Sequence, residues 1–142
     1  IATRRRYSRP AIPMIDTFVA QDRALRRDLD GAIELSRATL GDEIEGGGAI
    51  FIPMVANVLV EGLLQRDQDG DIREARSAID RLAALEVEPG LVVYDIWLLR
   101  LRTLLARAEG DDAAYRDYRD RYRKMANELG FEGHTAWAEA MP

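Results

Sequence analysis

"RDQDGDIREA", residues 66–75, decides how this chain is read, because it fits either the start of a metal site or a turn between two helices. Asp67, Asp69 and Asp71 stand at alternate positions beside Gly70, as at the beginning of a calcium-binding loop. An EF-hand loop starting at Asp67 needs glycine at its sixth place and a bidentate glutamate at its twelfth, and Ile72 and Ala78 stand there instead. The metal reading fails on position. What remains is a turn in which Gly70 supplies the backbone freedom, while Asp69 or Asp71 accepts hydrogen bonds from the free N–H groups that open the next helix.

Two further stretches share this form: "RDLDGAIELSRA" from Arg27 and "RAEGDDAAYRDY" from Arg107. Their glycines, Gly31, Gly70 and Gly110, are 39 and 40 residues apart. Each lies between an apolar helix-period stretch and an amphipathic one, the pattern of stacked helical hairpins. First helices are expected near 14–28, 50–66 and 91–108, and second helices near 32–44, 71–86 and 111–129. Val19, Leu59 and Leu99 line up across the copies, as do Leu64 and Leu104, and are expected to face the stack. In the last second helix Tyr115, Tyr118, Tyr122, Met125 and Leu129 fall on one face. "EGGGA" (45–49) and "EVEPG" (86–90) separate the hairpins, because glycine stops a helix and proline cannot continue one.

After Leu129, Gly130 suits a left-handed helix end with Phe131 folded back. A closing helix over 133–141 would then cover the open end with Trp137 and Ala138 turned inward. The expected fold is all-α: a TPR-like stack of about three antiparallel helical hairpins with a C-terminal closing helix, spanning 13–142. A flexible N-terminal segment, 1–12, is expected before it, since "IATRRRYSRP" has few apolar anchors.

Composition narrows the function classes. The 142 residues are 47% apolar and 32% charged with net charge -5, which suits a globular domain and gives no general attraction to nucleic acid or anionic membrane. Cysteine is absent, which removes thiolate catalysis and sulfur-based zinc sites. The most apolar windows, 49–64 and 91–106, are interrupted by polar residues and fall short of the roughly 20 apolar residues a membrane span requires. A cytoplasmic location is expected.

The remaining motifs favour structure over chemistry. The triplet Gly46–Gly48 lacks the Gly-Lys-Ser/Thr of a phosphate loop and the strand before it. His134, the only histidine, has no second ligand or nucleophile in "GHTAWAE" and is expected to cap or pack. Ser8, Ser36 and Ser77 sit in no nucleophile turn. "AYRDYRDRYRK" interleaves tyrosine with arginine, but helical spacing separates the two and aspartates cancel the charge. No catalytic, cofactor-binding or metal-binding residue is expected. Three positions stand out as candidate groove contacts: Asn57 and Glu61, one turn apart on an otherwise apolar helix, and Trp97, forty residues after Asn57.

Two resemblances add a setting. "GDIREARSAIDRL" (70–82) resembles the turn and second helix of a tetratricopeptide repeat, with Ala75, Ile79 and Leu82 at its small and bulky positions; the period here is longer and the usual first-helix residues are missing. Residues 90–142, most sharply "LGFEGHTAWAEAMP", resemble the C-terminal helical tail of large actinobacterial signalling proteins, the adenylate cyclase and LuxR-type AAA-ATPase regulators. The resemblance implies a non-catalytic interaction or regulatory module within a larger protein. Its implied partner is a protein, a neighbouring domain or a second copy of the chain, and the alternative is a domain that senses a small-molecule effector. It places no cyclase or ATPase residue on this chain.

Overall fold

The computed structural model describes residues 12–46, 51–85 and 92–142, and side chains in the first stretch from Asp16 onward. Within them the chain is helical throughout, with no strand: α1 (Ile12–Leu25), α2 (Leu29–Gly46), α3 (Ile52–Arg66), α4 (Asp71–Ala83), α5 (Val92–Ala108), α6 (Asp112–Leu129) and α7 (Glu132–Ala140). Helices adjacent in sequence pack as pairs, so the all-α hairpin architecture is the observed one. The expected head lies outside the described residues apart from Ile12, which already belongs to α1. The 86–90 linker and most of the 45–49 linker also lie outside them.

The turns show why the chain reverses where it does. At the third turn the Gly110 N–H donates to the Arg107 carbonyl (3.2 Å) and the Asp111 N–H to that of Ala106 (3.0 Å). The Asp111 carboxylate then accepts the Ala114 N–H at 3.1 Å, capping α6. The first turn repeats this bond for bond: Arg27 to Ala24 (3.1 Å), Asp28 to Arg23 (2.8 Å), and Gly31 N–H to the Asp28 carboxylate (3.0 Å). The equivalent of Gly110 is therefore Arg27, left-handed at φ 67, and not Gly31. Gly31 lies inside α2, where a Cβ would collide with the capping carboxylate of Asp28. Its glycine serves the cap; the turn is made four residues earlier.

The middle turn is built differently. Asp67, at φ 51, ends α3 by donating its N–H to the Leu63 carbonyl (3.0 Å), and Gly70, at φ 84, leads into α4. Asp71 does not cap the helix it opens. Its carboxylate accepts the Gln68 N–H (3.0 Å) from within the turn and both arms of the Arg66 guanidinium (2.9 and 2.7 Å).

The chain divides into two compact units, Ile1–Ala78 and Ile79–Pro142. In the first, α1, α2 and α3 pack on one another around Ala20, Ile33, Leu40, Val55, Leu59 and Leu63. Gly62 lets α2 come close to α3, since a Cβ there would lie 3.0 Å from Ile33 Cγ1. Val19 departs from its expected role: it is 39% exposed whereas Leu59 and Leu99 are buried. The buried face of α1 carries Asp16, Thr17 and Ala20, and Val19 with Phe18 is turned away from it. Charged forks tie the first part of α4, residues 71–78, to the rest of this unit: Arg37 grips Glu74 with two bonds of 2.7 Å, and Arg66, which holds Asp71, also reaches Asp30 at 2.9 Å.

In the second unit α5 and α6 form a hairpin whose core is Ile96, Leu99, Tyr122 and Ala126, joined by Ala138 and Met141 from the closing segment. Gly130, at φ 68, ends α6 by donating to the Ala126 carbonyl, and α7 turns back onto the hairpin. Trp137 does not face inward as expected, being 41% exposed. The inner stripe of α7 is His134 and Ala138, one helical turn apart, and Trp137 lies a quarter-turn off it.

Candidate interaction surface

The second unit contains an aromatic cluster centred on His134. The Tyr122 hydroxyl and His134 Nδ1 share a hydrogen bond of 2.7 Å, which satisfies both polar groups inside an apolar cluster. Trp97 meets the imidazole edge-on at 4.6 Å between centroids, Trp137 at 5.4 Å, and Tyr122 at 5.7 Å. Phe131 completes the enclosure at 6.1 Å. Burial pushes the His134 pKa down to about 4, and the nearby Arg100 charge acts in the same direction, so the ring is neutral at physiological pH.

The outer side of this cluster is surface. Trp137 tilts against Trp97 at 5.7 Å, and the Arg100 guanidinium lies 4.1 Å from the Trp137 ring centroid. Val93, exposed, precedes Trp97 by one turn of α5 and so shares its face. Around Trp137, α7 presents only small side chains: Gly133, Ala136 and Ala140 are all exposed. The indole is therefore part exposed and part packed, resting on His134, Trp97 and Arg100, the last a cation–π contact of a kind worth about 0.5–2 kcal/mol.

The three positions singled out in the sequence fall in different places. Asn57 is 4% exposed on α3, and Glu61, one turn on, is partly buried; both belong to the first unit and both have an interaction partner. Trp97 belongs to the second unit and is part of the aromatic cluster. Two residues of this cluster lie outside those candidate contacts: the buried Arg100, and Trp137, which the sequence marks only as part of the closing helix. An arginine inside the run "IWLLRLRTLL" was the available signal, since Arg100 is buried on α5 where the pattern wants an aliphatic residue.

Among the described residues no group of three or more histidines and carboxylates is placed to hold a metal ion. Nor is any helix of the described residues long and apolar enough to cross a membrane. Comparison of the chain with protein-family models, with curated proteins and with solved structures returned no match.

Proposed function

We propose that this chain is a non-catalytic interaction or regulatory module, acting as the C-terminal part of a larger cytoplasmic signalling or transcription-regulating protein of the cyclase or LuxR-type ATPase kind. The observation that supports it is the exposed Trp137 indole, backed by the partly buried Trp97 and the buried Arg100. Tryptophan is prominent in the energetics of protein interfaces, because it offers large contact area with a polar handle. Here it is held in place by the cluster beside it, so a partner helix or domain meets a surface that loses little side-chain entropy on binding.

The test is made in the full-length protein that carries this segment. Trp137→Ala removes the exposed indole while leaving the buried stripe of α7 intact, and is expected to weaken partner binding at least tenfold and to shift the rate of the attached enzyme. An unchanged rate, both in this variant and when residues 92–142 are deleted, would remove the regulatory reading. Should a small molecule be the effector instead, calorimetric titration of the isolated chain would show heat and the tryptophan emission would move without any protein partner.

A further inference from the structure

The bonds that hold α7 come from the hairpin it closes. Thr135 Oγ1 donates to the Ala126 carbonyl of α6 at 3.3 Å. Arg123 of α6 donates to the carbonyls of Ala138 and Met141, satisfying the end of α7, and Arg119 and Tyr115 reach the Pro142 carbonyl at 2.8 and 3.1 Å. Side chains of α7 then fill the hairpin: His134 against Tyr122 and Trp97, Trp137 against Arg100, and Ala138 in the core. Yet the link between α6 and α7 is only Gly130 and Phe131, and its reversal depends on the left-handed φ of Gly130.

If Gly130 leaves the left-handed region and Phe131 its extended conformation (ψ 98), both taking helical angles, α6 and α7 run on as one helix and α7 is carried away from its own hairpin. The vacated groove and the released helix remain complementary, so a second copy in the same state offers each groove the helix it lost. Short connections are where such exchange arises, because a chain reversal made by two residues is lost when one of them changes conformation. We propose that α7 is exchangeable between two copies of this chain: in a two-fold dimer, His134 and Trp137 of each copy complete the aromatic cluster of the other. The contacts are the same in both forms. Glycine adopts the left-handed conformation at little cost, so the closed monomer is favoured at low concentration and the exchanged dimer grows with it.

Sedimentation equilibrium of the native chain and of Gly130→Ala tests this. Alanine disfavours the left-handed turn and favours continuous helix, so the dimerisation constant is expected to rise by roughly tenfold or more, a change of about 1.4 kcal/mol. Inserting Gly-Ser-Gly after Gly130 gives α7 a slack return path and is expected to abolish the dimer. Because the chain has no cysteine, mixing an Ala126→Cys chain with a Thr135→Cys chain reports exchange directly: a disulfide between the two chains requires α7 of one to lie on α6 of the other. A Gly130→Ala chain that keeps its helical content but stays monomeric throughout overturns the proposal. So does a dimer that forms without the interchain disulfide or survives the insertion, and so does nonspecific aggregation in place of a dimer.

Discussion

The two units are both helical hairpin structures around apolar cores, yet the side-chain contacts added to those cores differ in chemistry. In the first, charged forks join the helices: Arg37 to Glu74, and Arg66 to both Asp30 and Asp71. In the second, rings do this work, with His134 enclosed by Trp97, Trp137, Tyr122 and Phe131. One local pattern, helix–turn–helix, thus leaves open which side-chain contacts reinforce it. Ion pairs between partly exposed groups add specificity and little net energy, whereas a ring cluster excludes water and adds both area and shape.

Breaking each unit at its centre should give the largest effects. Tyr122 is fully buried, and Tyr122→Ala removes a ring, a hydrogen bond and the support of His134 together. A loss of about 4 kcal/mol is expected, read by denaturant unfolding followed through tryptophan emission. Both tryptophans, Trp97 and Trp137, belong to the second unit, so emission reports on the surroundings of that unit's rings. The matching change in the first unit is Asp71→Ala. Asp71 is 3% exposed and takes bonds from Gln68 and Arg66, and its loss should cost about 2 kcal/mol, seen by denaturant unfolding followed through circular dichroism. The Arg66 bond to the exposed Asp30 is screened by water and salt and adds little to that sum.

Acid should separate the units further. The folded pKa of His134 lies below its ordinary 6.5, so its neutral form stabilises the second unit fully above pH 6.5, and this contribution is lost as pH falls from 6.5 toward 4. Allowing for solvent screening, the loss is expected to be about 1–2 kcal/mol. Asp71 behaves in the opposite way with respect to charge: the Arg66 hydrogen bonds hold its carboxyl below the ordinary 3.8, and its contribution persists until pH drops below that value. Between pH 6.5 and 4, then, emission-detected stability should fall while the Asp71 pair still holds. Equal weakening of a Tyr122→Phe, His134→Phe double variant over the same range would show that the histidine is not the titrating group.

The smallest effects concern the turns. Arg27 and Gly110 make the same left-handed turn, one with a Cβ and one without. Arg27→Gly is expected to stabilise the first unit by about 1 kcal/mol, and Gly110→Ala to destabilise the second by a similar amount, both measurable as shifts in denaturation midpoint. Opposite signs at the two sites would confirm that the two turns are equivalent. A destabilising Arg27→Gly would mean that the arginine side chain supports the turn in some other way.

Helix positions were legible because apolar periodicity and Gly/Asp punctuation are local signals. α3, α5 and α6 begin and end close to where the pattern puts them, and Asp111 caps α6 as its place in the turn suggests. The first turn was misplaced for a physical reason: Gly31 and Gly110 look alike in sequence, but an aspartate at position 28 captures the Gly31 N–H and starts the helix early. The closing helix was read with Trp137 inward because a tryptophan carries the greater apolar area. His134 holds the inner place instead, since Tyr122 offers its nitrogen a hydrogen bond there.

The class and rhythm of the fold follow from local signals along the chain: helices of given length, separated by turns of given type, with no thiols. Which polar residues go inside is set by the packing of one helix on another. Asp71 is buried because Arg66, five residues before it, folds back across the turn, and Asn57 is buried on α3. Arg100, buried on α5, lies against an indole thirty-seven residues away, a pairing that no local pattern marks. Periodicity reports how much water a position sees on average along one helix. The partner that makes a buried charge or an inward imidazole tolerable comes from another segment, and its place is set only when the helices pack.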